Sequence, residues 1–301
     1  MMPTFLGIGA QKCASTWLHR IVASHPAVHV PDIKEANFFS YHFDHGYQWY
    51  ERMFNPGSSV TQIGEVSPSY FHDPAVPARV YQYRPDIKIL LTLRDPIQRA
   101  LSNHRHEVRA GHIVGDDLSF EKGLANNPMY VEQGLYSKHL ANWLEYFPRD
   151  RILIILVDDI ENDPGKVARE VYQFLGIDPK FQPTGLAAKP NRSVTSRSEG
   201  LLRRKQRIYE LTRKPGLAWL WKAASGLGFR KLYRRINVTD SEVSMLAGTE
   251  KALRKQYKED LNQLEQTLGR SLVNWQAEGS KNKTGVRRRG RTSEGESWSM
   301  P

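Results

Sequence analysis

Apolar residues in this chain fall into short continuous runs, separated by stretches in which they recur every three or four positions. Residues 4–9, 60–66, 87–93 and 152–157 are rich in Ile, Leu and Val and too short for helices, which predicts buried strands. Between them, residues 15–24, 74–84, 95–110, 135–147 and 164–175 carry helical periodicity. In the fourth of these, Tyr136, Leu140, Trp143, Leu144 and Phe147 share one face. Strand-helix alternation of this kind predicts an α/β fold, a three-layer sandwich whose mostly parallel central sheet is covered by helices on both faces. In such sheets ligands sit at the carboxyl ends of the strands, so the residues just after each apolar run are the first candidates for chemistry.

Beyond Gly176 the pattern weakens. Residues 178–198, rich in Pro, Lys, Asn and Ser, read as a loop long enough to be functional. Basic helical stretches follow at 203–212 and 217–227. A long helix over 242–268 carries a stripe of Leu246, Leu253, Tyr257, Leu261, Leu264 and Leu268. Residues 279–301 contain Arg287, Arg288, Arg289 and Arg291, are poor in apolar residues and predict a disordered basic tail. The expected organisation is one domain over 1–278, with a core of 1–176, a loop and helical addition over 177–278, and the tail.

Composition is that of a globular protein, with 40% hydrophobic and 25% charged residues, so whole-chain disorder is excluded. The net charge of +11 invites a nucleic-acid or membrane reading. Splitting it removes most of that invitation. Residues 1–188 carry a net −3 and residues 189–301 a net +14. The basic third is expected to meet an anionic acceptor or anionic membrane lipid, or to be a solvated face. No aromatic interleaving or recognition module accompanies it, so no specific nucleic acid is expected. The single cysteine, Cys13, cannot form an internal disulfide, and the chain passes from Met1 almost directly into its first apolar run. No apolar run approaches the ~20 residues that span a bilayer. The expectation is a soluble cytoplasmic protein.

The most informative segment follows the first apolar run: Gly7-Ile-Gly-Ala-Gln-Lys12-Cys13-Ala14-Ser15-Thr16-Trp17. A strand-to-helix junction gathers anion oxygens on backbone N–H groups and the positive helix end. Small residues permit close approach, Lys12 adds charge, and Ser15 and Thr16 add hydroxyls. A dinucleotide fingerprint needs a third glycine where Lys12 stands, and a nucleoside-triphosphatase loop needs Gly-Lys-Ser/Thr at its end, where Ala14 precedes Ser15. A plain helix cap explains the hydroxyls but not the lysine. A second block follows the third predicted strand, with Arg94, Asp95, Pro96 and, two helical turns on, Ser102. An arginine and a hydroxyl placed so can converge on one phosphate. The plainer alternatives are an Arg94–Asp95 salt bridge and a solvated serine.

These two blocks resemble the 5′-phosphosulfate loop and the 3′-phosphate motif of sulfotransferases that use 3′-phosphoadenylyl sulfate (PAPS). Lys12 through Trp17 match the first position by position, with Cys13 and Ala14 where glycines are common. The segment 31–39, with Lys34 and Glu35 before Phe38 and Phe39, resembles a part of bacterial and carbohydrate-type members near the acceptor cleft. The resemblance implies a P-loop-like nucleotide-binding fold, PAPS as co-substrate, adenosine 3′,5′-bisphosphate as product and no metal. It implies donor binding by Lys12, Cys13, Ala14, Ser15, Thr16, Trp17, Arg94 and Ser102. Asn191 and Arg192 would lie in a late loop covering the nucleotide, and Lys34 would face the acceptor.

Glu65, in Glu65-Val-Ser-Pro-Ser-Tyr70-Phe71, ends the second predicted strand beside apolar neighbours, where a partly desolvated carboxylate is a stronger base. The plainer alternative is a loop glutamate paired with a lysine. The resemblance implies that Glu65 deprotonates a hydroxyl or amine acceptor, although Val66 stands where a lysine is frequent. His104, His106 and His139, the other candidate bases, fall on predicted helices and read as surface or structural residues. The runner-up enzyme is a P-loop nucleotide kinase or NTPase, for which Asp158 and Asp159 would be candidate magnesium ligands or else helix caps. The non-enzymatic alternative is a nucleic-acid- or membrane-binding protein acting through the basic third.

Overall fold

The computed structural model describes residues 1–110, 112–113, 118–183, 186, 195–196, 238–239 and 245–277. Its centre is a five-stranded sheet of β1 (Phe5–Gly9), β2 (Val28–His29), β3 (Gln62–Val66), β4 (Lys88–Leu93) and β5 (Ile152–Leu156). The strand order is β2-β3-β1-β4-β5, and every pairing is parallel. The four predicted strands are all present. β2 is a fifth that the pattern does not announce, because two residues carry no periodicity. A separate pair, β6 (Thr195–Ser196) and β7 (Val238–Thr239), is antiparallel.

Alternation along the strands sends side chains to two cores. Leu6, Ile8, Ile63, Ile89, Leu91 and Leu93 enter one; Phe5, Val66, Leu90 and Ile155 enter the other. The second core is closed by α1 (Ser15–Ser24), through Trp17, Leu18, Ile21 and Val22, and by the later helix Pro164–Leu175. The first core is larger. It receives α2 (Phe38–Tyr41), α3 (Tyr47–Glu51), α4 (Val76–Tyr83) and α5 (Pro96–Ala110). The short helices α6 (Phe120–Asn126) and α7 (Met129–Glu132) lead to α8 (Tyr136–Leu144), which carries Leu140 and Trp143 inward. After β5 come α9 (Val157–Asn162) and α10 (Pro164–Leu175), then, past the late loop, α11 (Ala247–Leu268) and α12 (Val273–Gln276).

The α11 stripe holds largely as its spacing predicts. Leu253, Tyr257, Leu261 and Leu264 are buried, whereas Leu246 lies outside the helix and exposed. Asp158 and Asp159, in the first turn of α9, are engaged by this C-terminal region. Asp158 accepts from Trp275 Nε1 at 2.9 Å and Asp159 takes both guanidinium nitrogens of Arg270. That geometry leaves them an anchoring role rather than a metal-binding one. The helical stretches 203–212 and 217–227 and the tail 279–301 lie outside the described residues. Among the described residues, no helix is long and apolar enough to cross a membrane.

The order of the strands locates the site. From β1 the chain moves toward the β2 edge; from β4 it moves toward the β5 edge. β1 and β4 are neighbours, so the loops leaving their carboxyl ends diverge and open a crevice between them.

Candidate active site

Both sequence-identified phosphate blocks open on that crevice. Gly9, the last residue of β1, has φ +148°, and a Cβ there would stand 2.7 Å from Phe71 Cβ, so only glycine lets the strand end pack against the 67–71 segment. Ala10 N donates to Thr92 O at 2.7 Å, and Thr92 Oγ1 donates to Gly9 O at 2.9 Å, which ties the two strand ends together. The loop then takes two left-handed residues, Lys12 (φ 64°) and Ala14 (φ 67°), the second being the residue that caps α1. Non-glycine residues in that region cost about 1 kcal/mol or more and persist where the surroundings fix them.

Tyr136 supplies part of that fixing. Its buried hydroxyl donates to Arg94 O at 2.8 Å and meets Cys13 Sγ at 3.6 Å. One phenol therefore links the loop after β1 to the loop after β4. Tyr136→Phe leaves the Arg94 carbonyl short of its donor, and is expected to lower unfolding free energy by about 1–2 kcal/mol, read from the denaturant midpoint at unchanged m. An unchanged midpoint would remove this linking role.

Among the described residues no ion pair or hydrogen bond holds the Lys12 ammonium, the Arg94 guanidinium or the Ser102 hydroxyl. Burial pulls the Lys12 pKa down from its ordinary value to about 8, partly offset by Glu107 of α5 and by Glu35. Ser15 and Thr16 stand at the first two positions of α1, where helix geometry leaves backbone N–H groups without intrahelical acceptors. Ser102 lies on α5, which packs beside β6. Asn191 and Arg192, just before β6, lie outside the described residues.

Two members of the loop serve it from inside. The Cys13 thiol is wholly buried, and burial pushes its pKa up. The Trp17 indole lies in the second core, and its backbone N–H is spent on Ala14 O at 2.9 Å. Cys13 Sγ meets Tyr136 Oη, whereas the buried Trp17 Nε1 has no hydrogen-bond partner among the described residues.

Glu65 stands near the end of β3, as the sequence predicts, but is wholly rather than partly desolvated. It lies on β3 and points into the first core with 1% exposure. Its Oε1 accepts from Tyr70 Oη at 2.6 Å and Tyr50 Oη at 3.3 Å, its Oε2 from Ser67 Oγ at 2.6 Å, and the Ala36 N–H is a fourth donor. A carboxylate offers about four lone-pair sites, so this one is fully occupied. Burial raises its pKa and the four donors oppose that rise.

These contacts hold a strained segment. Glu35 (φ 64°) and Asn37 (φ 50°) are both left-handed. Ala36 N–H binds Glu65, Asn37 N donates to Ser67 Oγ at 2.9 Å, and Ser69 Oγ donates to Asn37 Oδ1 at 2.7 Å. The segment carries Lys34 and Glu35, ion-paired to each other and both close enough to Lys12 to influence its titration. The Glu35 side chain is 42% exposed. The sequence signal for Glu35 is its position before two buried phenylalanines, in the same segment as Lys34.

The candidate histidines differ in burial: His104 and His139 are buried, whereas His106 is half-buried and close enough to Lys12 for that charge to help lower its pKa, behind the larger effect of burial. His104 is buried, with its ring nitrogens on Tyr130 Oη and Leu118 O, and His139 contacts Glu132 O. His106 contacts Arg109. Among the described residues no group of three or more His, Cys, Asp or Glu side chains is placed to hold a metal.

Comparison with known proteins agrees with this geometry. Residues 3–194 match the family model described as "Sulfotransferase domain". The chain is 32% identical over 199 residues to human bifunctional heparan sulfate N-deacetylase/N-sulfotransferase 3, covering 60% of this chain and 23% of that protein. It is 32% identical over 181 residues to mouse heparan sulfate glucosamine 3-O-sulfotransferase 6, covering 58% of this chain and 52% of that protein. It thus spans about a quarter to a half of these curated relatives. The solved sulfotransferase from Alicyclobacillus acidocaldarius superposes with a TM-score of 0.68 at 24% identity, over 92% of this chain and 100% of that one, and shows the same fold. With nearly two thirds of its length matched by the domain, the chain belongs to the sulfotransferase domain family.

Proposed function

We propose that this protein transfers a sulfuryl group from PAPS to a hydroxyl or amine of an acceptor, releasing adenosine 3′,5′-bisphosphate. The observation that carries this reading is a trio of groups without a hydrogen-bond or ion-pair partner among the described residues: Lys12 and Arg94 on the loops leaving the neighbouring strands β1 and β4, and Ser102 on α5. Such groups in a half-buried crevice await an anion. Two separated sets, Lys12 with the α1 amides and Arg94 with Ser102, suit a nucleotide phosphorylated at both its 5′ and 3′ ends. Sulfuryl transfer, by analogy with phosphoryl transfer, has a loose in-line transition state, so catalysis rests on positioning and charge neutralisation. Lys12 neutralises charge growing on the oxygen that bridges sulfur and the 5′-phosphate. Ser15, Thr16 and their amides hold the 5′-phosphate, and Arg94 and Ser102 the 3′-phosphate. Asn191 and Arg192 complete the proposal as a cover over the nucleotide.

Two carboxylates are candidates for taking the acceptor proton. The sequence expectation is Glu65, but an acceptor reaching it must displace one of four donors in a buried network. Glu35 supports the role better. It is exposed, lies near Lys12, and sits on a backbone strained into place by Glu65, Ser67 and Ser69. In this reading Glu65 anchors the segment that presents Glu35, and Lys34 faces the acceptor. The named relatives act on heparan sulfate at N and 3-O positions, which supports a saccharide acceptor here. The basic residues after 188 would draw an anionic acceptor or a membrane surface toward the site. A single buried cysteine supports a reducing, cytoplasmic setting.

Calorimetric titration tests the donor. Adenosine 3′,5′-bisphosphate is expected to bind about 10–100-fold more tightly than adenosine 5′-monophosphate, the range for losing one charge-assisted phosphate contact. Tighter binding of ATP with magnesium would replace this reading with a nucleotide kinase or NTPase.

A further inference from the structure

Asp95 adjoins Arg94 in sequence, and left to itself would cancel the charge that the 3′-phosphate needs. The fold sends it elsewhere. Asp95 is 6% exposed; its Oδ1 accepts from Ile97 N at 2.8 Å and Gln98 N at 3.4 Å, capping α5. Its Oδ2 lies 2.8 Å from Arg254 Nη2. Arg254 comes from α11, outside the residues that the family model matches, and is 7% exposed. Its other contacts are the Trp275 carbonyl and Glu250 Oε1. Arg99, one turn along α5 and fully buried, binds the neutral acceptors Gln133 Oε1 and Tyr130 O, so it does not take up the Asp95 charge.

The same helix sets other parts of the crevice. Asp260 caps the start of α8 by accepting from Ser137 N and Lys138 N, both at 3.1 Å, directly beside Tyr136. Tyr257 Oη donates to Val131 O at 3.1 Å, and Gly134 has room for no Cβ beneath it, since one would lie 2.6 Å from that hydroxyl.

We propose that Arg254 is a positioning residue for the nucleotide 3′-phosphate: by taking up the Asp95 carboxylate from behind, it keeps Arg94 uncompensated for the ligand. The proposal rests on the reading of Arg94 as the 3′-phosphate ligand. Removing Arg254 leaves an unpaired buried carboxylate next to Arg94, where it opposes an incoming phosphate. Removing that carboxylate as well restores the balance, and asparagine still caps α5.

The readout is the affinity ratio of adenosine 3′,5′-bisphosphate to adenosine 5′-monophosphate, measured by calorimetry on the full chain. Arg254→Met is expected to cut the ratio about tenfold, the size of one lost charge-assisted contact, with little change for the monophosphate. Asp95→Asn combined with Arg254→Met is expected to return the ratio to within about threefold of wild type. An unchanged ratio in the single variant, or equal loss of both nucleotides with no recovery in the double variant, overturns the proposal and leaves Arg254 a purely structural role. Should Arg254→Met not fold, Arg254→Gln gives the same readings, because it can donate to Asp95 without neutralising it. Arg94→Ala separates the two levels. If it leaves the ratio unchanged, the reading of the 3′-phosphate site fails; if it abolishes the ratio while the Arg254 variants do not change it, only the present inference fails.

Discussion

Lys12→Ala is expected to reduce kcat by about 10³-fold, the range for removing one preorganised charge stabiliser from a developing anion. The folded protein should keep its denaturation midpoint, because the ammonium has no internal partner to lose among the described residues. The lysine also predicts a pH profile. Its free pKa is lowered to about 8 by burial, so the free enzyme carries the charge below pH 8 and loses it above. Donor binding brings negative charge to the amine and raises that pKa again. The expected signature is a fall in kcat/KM for the donor above about pH 8, while kcat holds to higher pH, since the first reports the free enzyme and the second the complex. A kcat within tenfold of wild type in Lys12→Ala would remove lysine from the transition state. Parallel alkaline limbs in both constants would show that the bound donor does not restore the charge.

The legible part of this molecule is the part whose chemistry is contiguous in sequence. Lys12 through Thr16 and Arg94 through Ser102 each occupy one strand-to-helix junction, so residue types and spacing carry the whole signal. The strands and long helices follow from periodicity for the same reason. What escaped is carried by contacts between distant segments. Tyr136 reads as one more apolar-face residue of a helix; that its hydroxyl joins Cys13 to Arg94 depends on β1 and β4 being neighbours, an order the alternation of elements does not fix. Glu65 reads as a strand-end carboxylate, yet its character is set by Tyr50, Ser67, Tyr70 and the Ala36 amide, which converge only in the fold. In sequence the Arg94–Asp95 pair reads equally as a salt bridge, and α11 resolves it by supplying Arg254. Net charge misleads for a related reason. Catalysis needs a few unpaired cations, whereas the surplus of +14 lies after residue 188.

Glu35→Gln and Glu65→Gln, compared side by side, are expected to fail in different ways. Glu35 is exposed and bonded chiefly to Lys34, so its amide should leave stability within about 0.5 kcal/mol of wild type, as for other surface exchanges. If it takes the acceptor proton, kcat should fall about 10²–10⁴-fold, the range for losing a general base. Glu65→Gln meets the opposite conditions. The new NH₂ group faces hydroxyls that donate to the carboxylate and must turn round to accept from the amide, in a site 1% exposed, and charge-assisted bonds are lost, a change that costs about 1–3 kcal/mol. Its activity should fall indirectly, through disorder of the 34–37 segment that displaces Glu35, so kcat drops by less than in Glu35→Gln while KM for the acceptor rises. A lowered denaturation midpoint for Glu65→Gln with a kcat that is reduced but well above that of a stable, inactive Glu35→Gln assigns the proton to Glu35. The reverse pattern, a stable Glu65→Gln without turnover and a fully active Glu35→Gln, returns it to Glu65 and requires an acceptor that enters the buried network by displacing Ser67 or Tyr50.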